Sequence, residues 1–420
     1  MISLIEAKNF RCLRYVRRPL RSLQALVGPN ASGKTTFLDV VSLLGDLVSE
    51  GLDAAIGERT QNPADLVWGR DGGGFELAVE ARIPDALRPC MTGQDFDTVR
   101  YEVSIGTDDG PNGTEIRAEQ VLLKSSSNAG GSEGEQIEMF PALRKAPQTI
   151  LTSSRAHGTK TVVNKVPGGN DNFYPEPPKE NVWSGSYKLG VRKSALGNLP
   201  EDESKFPVST WLKTLLTEGV QEFVLNSRAI RKASPPGLGR GFKPDGSNLP
   251  WVVHELERAV PEVLSAWIAH LQTALPDLEA IRTVERGDDR HRYLMLRYSG
   301  GLEVPSWMAS DGTLRLLALT LPAYLSGMTG AYLIEEPENG LHPRAVETMY
   351  QSLSSVYGAQ IILATHSPVI LSLVEPQNVL CFAKTREGAA DIVSGDAHPK
   401  LRDWRGETTL GTLFAGGVLG

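Results

Sequence analysis

The chain has 420 residues, 40% hydrophobic and 22% charged, an ordinary globular composition long enough for more than one core. A formal net charge of -7 excludes a surface built as a whole to grip nucleic acid, so any such contact has to be a local patch. Cys12, Cys90 and Cys381 are too few and scattered for a disulfide framework or a cysteine metal site, and no apolar run suits a signal peptide or a membrane span, so the sequence reads as soluble and cytoplasmic.

Ile2 to Phe10 alternates apolar and polar residues, and Leu23 to Val27 is a short apolar run that stops at Gly28; both read as strands. Phe37, Leu38, Val41, Leu43, Leu44 and Leu47 recur near helical spacing and predict a helix from Lys34 to about Ser49. Phe75 to Ile83 and Val99 to Ile105 read as further strands, which makes residues 1–152 a mainly antiparallel β lobe. The stretch KSSSNAGGSEGE, Lys124 to Glu135, has no apolar period and reads as a loop. Residues 153–248 are rich in Gly, Pro, Asn and Lys, helical only near Val208 to Leu225, and read as an inserted arm or lid. A helical pattern resumes from Leu249 to about Leu275, and after Tyr293 to Leu296 helix and strand alternate. The expected fold is therefore α/β, with 249–420 forming a parallel α/β lobe beside the β lobe and the arm.

The chemistry starts at Gly28-Pro29-Asn30-Ala31-Ser32-Gly33-Lys34-Thr35, which fits the phosphate-binding loop pattern and sits between a strand and a helix, the context that pattern needs. Its glycines let the backbone wrap an anion so that successive N–H groups and the helix N-terminus face the phosphates. Lys34 supplies a point charge for the β- and γ-phosphates of ATP, Thr35 offers its hydroxyl to a magnesium ion, and Thr36 follows in the same turn of the phosphate-binding set.

Far downstream, the apolar run Ala331-Tyr332-Leu333-Ile334 ends in Glu335-Glu336. In a nucleotide site the first carboxylate, Glu335, holds magnesium and the second, Glu336, polarises the water that attacks the γ-phosphate. A second apolar run, Ile361 to Ala364, ends in Thr365-His366-Ser367, and an imidazole there can bond the γ-phosphate or that water. A lone histidine at a strand end is more often a cap. Ser310-Asp311-Gly312-Thr313 precedes the apolar helix Leu314 to Leu321 and presents a helix N-terminus as another anion surface, though the same pattern is a common cap.

In this order, GPNASGKT, SDGTLRLLAL, LIEEPENGLHP and ATHSP resemble the ABC-type ATPases of the SMC/RecF/OLD branch, in particular the stand-alone AAA-family ATP-binding proteins of bacterial defence loci; the opening KNFR is similar too. The resemblance implies a homodimer with two ATP sites at its seam. Ser310 and Gly312 would contact the γ-phosphate held by the other copy, His342 would lie in the loop crossing the seam, and Arg11 would approach the phosphates. SDGT stands where transporters carry LSGGQ, and Glu335 replaces the usual Asp. The chain ends at Gly420 without the nuclease domain of complete OLD proteins, so the implied role is an ATP-gated switch acting on a separately encoded nuclease or toxin in anti-phage defence.

A RecF-like protein that binds DNA directly is the alternative. Arg228, Arg231, Lys232, Arg240 and Lys243 fall in a segment with no acid between Glu222 and Asp245, a candidate phosphate-contacting stretch over 228–243 that a solvated loop explains equally well. A transporter subunit would need a docking surface for membrane helices, and the form EEPENGLHP argues against one.

Overall fold

The structure is a computed structural model that describes residues 1–70, 73–91, 95–107, 113–125, 139–153, 156–177, 185–238, 241–401 and 409–417. The Ser/Gly-rich loop from residue 126 on and Arg240 lie outside the described residues. In chain order the first part holds β1 (Ile2–Phe10), β2 (Leu13–Pro19), β3 (Leu23–Val27), α1 (Lys34–Ser49) and α2 (Leu52–Gly57), then β4 (Phe75–Arg82), β5 (Thr98–Thr107), β6 (Thr114–Lys124), β7 (Thr159–Lys165), β8 (Asp171–Phe173) and β9 (Gly185–Tyr187). Next come α3 (Pro207–Thr214), β10 (Val220–Glu222), α4 (Ser227–Arg231), α5 (Leu249–Ala259), α6 (Pro261–Leu271) and the strands β11 (Leu278–Glu285), β12 (Arg292–Tyr298) and β13 (Glu303–Pro305). The last part runs through α7 (Asp311–Thr320), β14 (Ala331–Glu335), α8 (Pro343–Ser354), β15 (Gln360–Ala364), α9 (Pro368–Leu373), β16 (Val379–Lys384), β17 (Ala390–Ser394) and α10 (Leu410–Ala415).

An eight-stranded antiparallel sheet, ordered β2-β1-β4-β5-β6-β7-β8-β9, packs beside a six-stranded sheet ordered β10-β14-β15-β3-β16-β17, parallel except for its last strand. A small antiparallel sheet, β11-β12-β13, completes the α/β fold. Strand period sets the layering: Leu26 of β3 joins one core with Phe37, Val41 and Leu44 of α1, while Ala25 and Val27 join the other with α5 to α8. The parallel sheet is thus the wall between two cores, and its C-terminal edge is where helices start and ligands bind in such sheets.

Residues 153–248 do not form one inserted arm. Residues 159–187 extend the antiparallel sheet through β7, β8 and β9, and Val220–Glu222 pairs in parallel with Ala331–Leu333 at the edge of the other sheet. Short strands broken by Gly and Pro hide their period from sequence reading, and buried carboxylates supply the order: Glu119 accepts from the Ala195 and Leu196 N–H groups and Glu176 from those of Val208 and Ser209. The helical pattern near 208–225 resolves into α3, a π-turn over Leu215–Gly219 and β10. The pattern from Leu249 to Leu275 is two helices, because Pro261 has no N–H to continue α5 and opens α6 instead.

On the outer face of the antiparallel sheet the Arg100 guanidinium is buried and meets Glu102 at 2.6 Å, Glu6 at 2.9 Å and Glu80 at 3.1 Å. The segment 139–153 closes over it: the Ile150 carbonyl accepts from Arg100, and Glu102 accepts from Thr152. Among the described residues no helix is long and apolar enough to cross a membrane.

Candidate functional site

The loop after β3 is built by its backbone. Gly28 has φ 152° and a Cβ there would stand 2.2 Å from the Phe382 carbonyl oxygen, while Gly33 has φ 106° and a Cβ there would press on Ala390 and Cys12 at 3.0 Å. Only glycine meets both demands, a left-handed turn and a backbone flush against β16 and β17. Gly33 opens α1 with no side-chain cap, so the first-turn N–H groups of a 16-residue helix face the loop. Lys34 folds back over the loop, donating to the Gly28 carbonyl at 2.8 Å and the Pro29 carbonyl at 3.1 Å. Burial lowers its pKa, and the nearby Glu336 and Glu335 carboxylates oppose that shift.

The two acidic residues sit where β14 ends. Glu335 lies opposite Ala364 of β15, and the Glu336 N–H donates to the Ala364 carbonyl at 2.8 Å as the chain turns through a left-handed φ of 46° at Glu336. Glu336 Oε2 accepts from the Asn339 amide, and its Oε1 lies 4.0 Å from His366 Nε2. Glu338 locks this turn to the next strand: its Oε1 accepts from the Thr365 hydroxyl at 2.7 Å and the His366 N–H at 2.9 Å.

Three distant segments therefore line one pocket of about 270 Å³: Asn30 to Thr36 of the loop, Glu335 and Glu336 of the acidic strand, and Ala364 and His366 of the third, with Cys12 at its side. The Ser32 hydroxyl is buried there without a hydrogen-bond partner, an anion-facing donor of the kind a phosphate would satisfy. Among the described residues no cluster of three or more His, Cys, Asp or Glu could hold a metal alone. A magnesium ion fits the site through the Thr35 hydroxyl and Glu335 carboxylate together with nucleotide phosphates, the oxygen-rich, partly substrate-built shell that magnesium prefers.

Other expected residues lie elsewhere. Arg11 does not line the phosphate pocket; its guanidinium pairs with Asp39 at 3.0 Å and faces an adjoining cavity of about 550 Å³ that shares Thr35 and Glu335 with it. Ser310 caps α7 by accepting from the Thr313 N–H at 3.1 Å, and Gly312 packs so tightly on the acidic turn that a Cβ would stand 2.7 Å from the Gly340 carbonyl oxygen. His342 caps α8, accepting from the Arg344 N–H at 3.3 Å. Ser310, Gly312 and His342 are thus absent from the pocket lining of their own chain.

The basic stretch is no free loop. Arg231 pairs with Asp311 at 2.6 Å and donates to the Trp307 carbonyl at 3.1 Å, and Ser234 exchanges backbone bonds with Arg292. Sequence reading missed the roles of Glu338 and Asn339, which stood in view inside EEPEN, and it took Arg231 for a candidate phosphate contact because nothing local shows a partner 80 residues away.

A family model described as "AAA domain, putative AbiEii toxin, Type IV TA system" matches residues 218–372. An Old nuclease of Escherichia phage P2 is 21% identical over 412 residues, 92% of this chain and 60% of its own length, and an OLD nuclease of Thermus scotoductus is 50% identical over 48 residues, 11% of this chain and 9% of its own. The chain thus spans less than two thirds of either relative. Among solved structures, an Smc head bound to the C-winged helix domain of ScpA aligns at TM-score 0.52 and 14% identity over 94% of this chain and 97% of that one. A second Smc head with the C-terminal domain of ScpA, from Pyrococcus furiosus, aligns at 0.51 and 14% over 94% and 96%. The chain is thus similar to this AAA domain over residues 218–372, to OLD nucleases in sequence and to Smc heads in fold, the similarities expected of the SMC/RecF/OLD branch of ABC-type ATPases.

Proposed function

We propose that this chain binds and hydrolyses ATP at two sites, each closed between two copies of itself, and that the resulting ATP-gated dimer switches a separate effector, a nuclease or toxin, in defence against phage. The convergence of Lys34, Thr35, Glu335, Glu336 and His366 on one pocket carries this reading. Lys34 and the loop N–H groups hold the phosphates, and Thr35 and Glu335 hold magnesium, which when bound neutralises phosphate charge. Glu336 accepts the proton of the attacking water, and His366, 4.0 Å away, bonds the γ-phosphate or that water. Ser310 and Gly312 lie at the end of α7, outside their own pocket, which is the arrangement a two-fold partner would complete.

The relatives are named nucleases, and this chain spans part of their length. In the proposed reading the cutting belongs to the separate effector. Homogeneous protein should release phosphate from ATP and leave DNA and RNA whole; strand cleavage that survives Lys34→Ala would overturn that assignment. Arg228 on α4 and Lys232 just after it stay exposed, which favours a second reading in which nucleic acid contacts the dimer directly there. Affinity falling steeply with salt, and falling further in Arg228→Ala and Lys232→Ala, would support it.

A further inference from the structure

Among the described residues, no Phe, Tyr or Trp lines the phosphate pocket, whose walls are the loop, Cys12, Glu335, Glu336, Ala364 and His366. Its roughly 270 Å³ is small beside the ~300–1,000 Å³ of sites that enclose whole ligands, so it suits the phosphates, and the aromatic ring of the adjoining cavity, Phe223, is already buried against Tyr332 and Phe242.

A complementary feature lies just before Ser310. Trp307 is 45% exposed and Met308 70%, both in the turn that leads into α7. The indole is pre-set: its ring stands 4.8 Å from that of Tyr293 on β12, and Arg231 ties the Trp307 carbonyl to the Asp311 carboxylate. Trp307, Ser310 and the N-terminus of α7 therefore form one rigid piece. Holding an aromatic and a thioether in water at this place is unfavourable unless something apolar covers them.

We propose that Trp307, with Met308 beside it, is the platform for the nucleoside of the ATP held by a second copy of the chain. One copy grips the phosphates; the other brings Ser310 to the γ-phosphate and Trp307 to the base. This rests on the two-copy reading above. Ring stacking on a base is tolerant of which base it is, so the platform favours nucleotides over bare polyphosphate rather than adenine over guanine.

The test uses full-length Glu336→Gln protein, with dimerisation measured by sedimentation against ATP and against inorganic tripolyphosphate. ATP should drive dimerisation at a concentration on the order of tenfold lower than tripolyphosphate, an advantage that Trp307→Ala removes and Trp307→Phe largely keeps. Met308→Ala, which leaves the Tyr293 contact intact, should reduce the advantage about threefold and guards against misfolding of the tryptophan variant. An ATP advantage unchanged in both Trp307→Ala and Met308→Ala would overturn the proposal while leaving the dimer standing. Glu336→Gln protein that stays monomeric at saturating ATP would instead overturn the two-copy reading, and this inference with it.

Discussion

Glu336 Oε1 and His366 Nε2 stand 4.0 Å apart at the ends of two neighbouring parallel strands, β14 and β15. The spacing is set by backbone, since the Glu336 N–H is bonded to the Ala364 carbonyl and Glu338 holds the His366 N–H. A water placed between the two side chains would meet a carboxylate on one side and an imidazole on the other. Glu336→Gln should keep ATP affinity within about threefold and lower turnover at least ~100-fold, the usual scale for losing a general base. Lys34→Ala should lower affinity ~100-fold, because it removes the charge that faces the phosphates. Calorimetric binding and phosphate release, run on both variants, check the pair; equal affinity losses would contradict the role given to Glu336.

Ser310 lies outside the pocket of its own chain, so the two-copy arrangement predicts complementation. Lys34→Ala and Ser310→Ala proteins should each be nearly inactive alone. Mixed, they form heterodimers in which one site is doubly damaged and the other intact, and random pairing should recover roughly a quarter of wild-type activity. A mixture as inactive as its components would exclude the shared site.

Gly28 and Gly33 tolerate no side chain for separate reasons. Gly28→Ala puts a methyl 2.2 Å from the Phe382 carbonyl oxygen at a φ that L residues rarely adopt, whereas Gly33→Ala meets the softer Ala390 methyl and Cys12 sulfur at 3.0 Å. Both should lose ATP binding, and Gly28→Ala should also unfold several degrees earlier, since a main-chain carbonyl of β16 cannot step aside. Thermal melts with and without nucleotide distinguish the two.

Arg231 grips the start of α7 from α4, through Asp311 and the Trp307 carbonyl. The pair is partly exposed, so Arg231→Ala should cost less than about 1 kcal/mol of stability. ATP-driven dimerisation should weaken several-fold all the same, because the turn carrying Ser310 loses its brace. An Arg231→Ala protein that dimerises like wild type would separate the basic stretch from the seam.

His398 is buried, accepts from the Lys400 N–H through Nδ1, and packs edge-on against Phe140. Burial lowers its pKa, with Lys400 adding to the shift. A histidine depressed in the folded state gives stability that is present above its unfolded pKa of about 6.5 and lost as pH falls from there through the folded value. Melting temperature should drop on acidification across that window, and His398→Phe should flatten the dependence; an unchanged slope would assign the acid sensitivity elsewhere.

The elements nearest the chemistry were the most legible. The helix read from Lys34 to about Ser49 is α1, and the strands read at 75–83 and 99–105 are β4 and β5, because each carries an unbroken period over one buried face. The region 153–248 was not, since β8, β9 and β10 are three-residue strands whose pairing comes from distant partners such as Leu333. At the site, motif spacing pointed to Lys34, Glu335, Glu336 and His366, and the structure brings them together in one pocket. What spacing could not show is orientation: Arg11 pairs with Asp39 across the adjoining cavity, and the basic residue Arg231 turns inward to Asp311.

The position of β3 between β15 and β16 has a consequence for biosynthesis. The strand that leads into the phosphate loop ends at Val27, yet both of its neighbours lie beyond residue 359. An emerging polypeptide therefore carries its nucleotide loop long before the strands that flank β3 have been translated. ATP cannot assist the early steps of folding, and until β15 and β16 have been translated neither edge of β3 has a strand to pair with.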